Sequence, residues 1–97
     1  MSNDEKNQNE QLIDGVTIFL PDNLKSAVFC NSAFAQFAPE EISVDFVNMG
    51  AMSSAVVSRV VMTPSHTKRL IALLSQKVAE YEEMFGAVPE MVEPKAK

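Results

Sequence analysis

Val56-Val57-Ser58-Arg59-Val60-Val61-Met62-Thr63-Pro64-Ser65-His66-Thr67-Lys68-Arg69-Leu70, with its continuation to Gly86, decides the fold. It reads as a strand running directly into a long amphipathic helix. Thr63 suits an N-cap, and Pro64 follows at the first helical position, where its missing N–H costs nothing. At the other end Gly86 can take the left-handed C′ conformation, and Pro89 blocks continuation soon after. Between these marks Leu70, Ile71, Leu73, Leu74, Val78, Tyr81, Met84 and Phe85 recur at three- and four-residue spacing and form one wide apolar face. That face must be buried against something, and the strands upstream are the nearest candidate.

Working back from Val56, Gly50 to Ser54 reads as a turn and Ile42 to Met49 as the preceding strand. Ala38-Pro39-Glu40-Glu41 turns the chain again, after a strand from about Ala27 to Phe37. Gly15 to Leu20 is a further short strand, an edge, ended by Pro21-Asp22-Asn23. Short connections predict antiparallel pairing. The expected fold is therefore α+β: an antiparallel three- to four-stranded meander followed by one long C-terminal amphipathic helix packed on one sheet face. Centring the last hairpin near Met52 places Ile42 opposite Met62, Val44 opposite Val60 and Phe46 opposite Ser58. The preceding hairpin adds Phe37, Ala35 and Ala33 to that apolar face, with small residues where Phe85, Leu74 and Leu70 of the helix could sit. The same register puts Asp45 across from Arg59 on the other face, flanked by Val47, Val57 and Val61, so that the second face is mixed.

The 97 residues, 46% hydrophobic and 22% charged, suit one small domain. Residues 1–14 read as a disordered polar tail, 15–86 as a single α+β domain and 87–97 as a flexible C-terminal tail. No signal-peptide core and no apolar run of roughly 20 residues occurs, so a soluble cytoplasmic protein without membrane contact is expected. Cys30 is the only cysteine, which excludes an intramolecular disulfide and suggests a small core filler. The formal charge of −5 and the lack of a basic stripe argue against nucleic-acid binding.

The segment Ser58 to Leu70, together with Tyr81-Glu82-Glu83-Met84-Phe85-Gly86, resembles an uncharacterised bacterial family catalogued as domain of unknown function 3467. Asn31 and Pro39-Glu40-Glu41-Ile42-Ser43-Val44-Asp45-Phe46 resemble its pattern as well, and the likeness covers roughly Val16 to Gly86. Where that family commonly has tyrosine before its asparagine, this chain has Phe29-Cys30-Asn31, which removes any hydroxyl role there. The resemblance implies a bacterial or phage origin and supports the fold; it supplies no catalytic residues.

The residues themselves offer no catalytic constellation, cofactor motif or metal-ligand cluster, so no catalytic, cofactor or metal residue is assigned and an enzyme is not expected. His66, the only histidine, reads as a first-turn surface or capping residue. Asp45 and Arg59 read as a cross-strand ion pair holding register, with an anion site as the alternative. Glu40-Glu41 and Glu82-Glu83 read as solvated pairs. One helix cannot cover a sheet with two partly apolar faces, and a core of about 70 residues is thin, so homo-oligomerisation, as a dimer, is expected. Met49, Met52, Met62 and Met84 leave open a peptide- or client-binding, chaperone-like module instead. Lys68 and Arg69 near the helix start and Glu80, Glu82 and Glu83 near its end all oppose the helix dipole. An antiparallel pair of helices about a two-fold axis would compensate them, with Arg69 opposite Glu80 of the second copy and Leu73 opposite Gln76.

Overall fold

The computed structural model describes residues 10–90 of the chain. The order is β1 (Glu10–Ile13), β2 (Val16–Phe19), a short 3-10 turn (Asp22–Leu24), β3 (Ser32–Ala38), β4 (Glu41–Met49), β5 (Ser54–Met62) and α1 (Pro64–Phe85). The class is α+β with antiparallel strands. β3, β4 and β5 make a three-stranded meander, while β1 and β2 pair only with each other.

The meander has the register read from the sequence. Ile42 pairs with Met62, Val44 with Val60, Asp45 with Arg59 and Phe46 with Ser58. On the other side Phe37 pairs with Ile42, Ala35 with Val44 and Ala33 with Phe46. The register then shifts between Phe46 and Val47, so that Val47 faces Val56 and Val57 is the extra residue of a bulge. The bulge lets β4 and β5 close over a four-residue turn, Gly50 to Ser53, in which the Gly50 N–H donates to the Ser53 carbonyl at 2.9 Å.

The chain before β3 departs from expectation. Glu10–Ile13, expected within the polar tail 1–14, is a strand, and Gly15–Leu20 is not an edge of the meander but half of a separate hairpin. The cause lies in Asp14 and Gly15, both at positive φ (51° and 78°), the conformation that a two-residue type I′ turn demands and that an Asp-Gly pair supplies. The strand expected from Ala27 begins only at Ser32. Cys30 precedes it and is exposed rather than a core filler. The remaining tail residues, 1–9 and 91–97, lie outside the described residues.

The helix is framed as its sequence requires. Thr63 is extended, its Oγ1 accepts from the His66 N–H at 3.1 Å, and Pro64 opens the first turn. Gly86 ends the helix at φ 102°, ψ 167°, a positive-φ conformation outside the left-handed helical region, with its N–H donating to the Glu82 carbonyl at 2.9 Å. The expectation that Phe85, Leu74 and Leu70 fill the apolar sheet face is not met. The helix meets the sheet chiefly at β4. Leu70 is half-buried, whereas Leu74 is 53% and Phe85 68% exposed. Thr63 alone joins β5 to α1.

Candidate interaction surface

Among the described residues one large apolar side chain is buried, Val47 at 4% exposure. The apolar row Phe37–Ile42–Met62 across the three strands ends in a Phe37 that is 87% exposed. Phe34 and Val61 on the opposite face are exposed too, so both sheet faces keep apolar surface in contact with water. So does the helix. Ile71, Leu74, Val78, Tyr81 and Phe85 stand at alternating three- and four-residue steps, all exposed, and make a narrow seam of coiled-coil type along α1. Open grooves follow that seam, one between Ile71, Leu74, Ser75, Val78 and Glu82, the other bounded by Tyr81 and by Val88 beyond the helix end. Val88 is held there by its N–H, which donates to Glu82 Oε2 at 2.9 Å. Tyr81 and Phe85 stack at a tilt of 44° with ring centroids 4.9 Å apart, so two successive seam residues already pack on each other.

The residues singled out in the sequence fall into two groups. Asp45 and Arg59 are together: Arg59 Nε donates to Asp45 Oδ1 at 3.0 Å across β4 and β5, beside the exposed ring of Phe34. With the guanidinium largely in solvent, the pair is worth at most about 1 kcal/mol. Arg69, Leu73, Gln76 and Glu80 line one flank of the helix, at the rim of the seam. Their polar groups have partners within the helix: Arg69 Nη1 donates to Ser65 Oγ at 2.9 Å, and Glu80 accepts from Gln76 at 3.2 Å and from Lys77 at 3.3 Å. Leu73 is half exposed. His66 is exposed and takes part through its backbone N–H in the helix cap. Met49, Met52 and Met84 are exposed, Met52 at 96%, while Met62 is half-buried.

Asn31 has a role that spacing in the sequence did not reveal. Its side-chain amide donates to the Met49 carbonyl at 3.0 Å, and its Oδ1 accepts from the Met49 N–H at 2.8 Å. Its own N–H donates to the Val47 carbonyl at 3.0 Å. The side chain thus imitates a strand neighbour and satisfies both backbone groups of Met49 just where β3 begins. The partner lies 18 residues away, so no local pattern could have pointed to it.

No group of three or more His, Cys, Asp or Glu side chains stands together in metal-binding geometry among the described residues. No helix among them is long and apolar enough to cross a membrane. A family model described as protein of unknown function (DUF3467) matches residues 1–90. No curated protein and no solved structure matches the chain.

Proposed function

The chain belongs to the DUF3467 family, and from that premise we propose that it works as a non-enzymatic, homo-oligomeric protein-interaction module of bacterial or phage origin, acting in the cytoplasm. The observation that supports this most strongly is the unfinished core. Among the described residues a single large apolar side chain is buried, while seam, sheet faces and hairpin remain open. Monomers seldom expose contiguous apolar patches beyond a few hundred Å², and adding surface from a second copy is a common remedy for a thin core. The helix flank of Arg69, Leu73, Gln76 and Glu80 borders the surface the second copy would cover.

Sedimentation equilibrium from low to high micromolar concentration tests the proposal. A dimer whose thermal midpoint rises with concentration is the expected result; a stable, folded monomer across that range would refute it. The exposed Met49, Met52 and Met84 favour a second reading, a module that binds peptide or unfolded clients through adaptable thioethers. That reading expects suppression of aggregation of a model client by the native protein at equimolar concentration.

A further inference from the structure

The uncovered seam of α1 has a spacing that selects one way of meeting a second copy. Ile71, Val78 and Phe85 occupy one set of core positions in a seven-residue repeat, and Thr67, Leu74 and Tyr81 the other. In an antiparallel pair of helices each residue of the first set packs against one of the second. One register sets all six of these residues in layers within the helix: Leu74 against Val78 of the second copy, Ile71 against its Tyr81, and Thr67 against its Phe85. The two-fold axis then passes the helix at the height of Gln76, and each layer occurs twice.

The charges at the rim agree with that register. On one side of the seam it brings Lys68 beside Glu82 of the second copy, again twice, and on the other it brings Leu70 beside Met84 twice, with Lys77 between them at the axis. Lys68 is exposed. Glu82 is half-buried and uses Oε2 for the Val88 N–H, which leaves Oε1 for a cation. Lys77 comes near its own equivalent across the axis, but its charge is offset by Glu80 of the same helix at 3.3 Å. Antiparallel alignment also sets the positive start of each helix beside the negative end of the other. A parallel pair would offer Lys77 to Glu82 instead. It would also crowd two sheets at one end, since only Thr63 separates β5 from α1.

Resting on the homo-oligomer reading, we infer that two copies of this chain associate through an antiparallel helix pair with the Leu74–Val78 layers at its centre and Lys68–Glu82 contacts at both ends of its ionic rim. This register differs from one that sets Arg69 opposite Glu80, because both charges of that flank already have partners in their own helix.

The test is dimer dissociation by sedimentation at low salt, with helix content followed by circular dichroism. Lys68→Glu and Glu82→Lys each place like charges at both contacts and should weaken the dimer roughly tenfold, by the scale of exposed ion pairs. Each also improves the match of charge to helix dipole, so helix content should not fall. An equimolar mixture of the two single variants, or the double variant alone, should restore the parent affinity, and about 0.5 M salt should shrink all the differences. Lys77→Gln should leave association unchanged or tighter. A dimer weakened by Lys77→Gln would overturn the antiparallel alignment in favour of the parallel one. A dimer indifferent to Lys68 and Glu82 yet broken by Arg69→Glu and rescued by Glu80→Arg would overturn the register. Either result leaves the homo-oligomer reading standing, whereas a monomeric parent protein overturns both.

Discussion

The β3–β4–β5 meander and the helix α1 are both well specified locally, yet they reach stability by different routes. The meander holds itself together across the chain: seven residue pairs join β3 to β4 and eight join β4 to β5. Asn31 closes one end of it, and Asp45 and Arg59 mark the register in the middle. The helix has a capped start, a glycine stop and an ion pair between Lys77 and Glu80, all within its own turns. What it lacks is a counterpart for its apolar stripe. Most helical stability in proteins comes from tertiary packing of that stripe rather than from propensity. A region whose pairing is internal can persist alone, while one whose burial is deferred depends on what arrives to cover it.

The largest expected effect breaks this contrast at the seam. In the proposed pair of helices Leu74→Asp would remove a central layer and bring a carboxylate into it on both copies, so on that proposal association should weaken by about 100-fold or more. Hydrogen exchange should then show helix amides losing protection while the β4 amides change little. Loss of protection in both regions together would mean that sheet and helix are one cooperative unit.

Gly86→Ala comes next. Nothing lies within 4 Å of an added Cβ, so the cost is that of the backbone at φ 102° alone, about 1–3 kcal/mol, and denaturant titration should show it as a lowered midpoint. Asn31→Ala should cost the meander about 1–2 kcal/mol by leaving both backbone groups of Met49 without their side-chain partner. The expected mark is faster exchange at Met49, with the helix unaffected. Thr63→Ala should remove about 1 kcal/mol from the helix start, visible as reduced helix content and largely recovered in Thr63→Asp. The smallest effect belongs to the Asp45–Arg59 pair. A double-mutant cycle with Ala at each position should return a coupling of about 0.2–1 kcal/mol that fades with salt.

The hairpin and Asn31 differ in how local their determinants are. Asp14-Gly15 between Leu12-Ile13 and Val16-Thr17-Ile18-Phe19 carries the strongest short-range hairpin pattern, whereas the polar composition of residues 1–11 points to a tail. The hairpin was legible, because turn chemistry is local. The Asn31 contact was not, since a side chain that substitutes for a strand becomes visible only once Met49 is beside it.

From Thr63, Pro64 and Gly86 the sequence determined where the helix starts and stops, and from alternation around Asp45 and Arg59 it determined the pairing of β4 with β5, because caps, turns and two-residue periodicity act between near neighbours. It could say that the face of Ile71, Leu74, Val78 and Tyr81 must be buried, but not by what. Only the tertiary structure decided that this face is left open, that β1 and β2 stand apart from the meander, and that Val57 bulges. Whether the helix face is covered depends on the angle between α1 and the sheet, and a hydrophobic pattern, which is non-directional, carries no information about that angle; the bulge and the separation of the hairpin depend on pairings between residues far apart or on none.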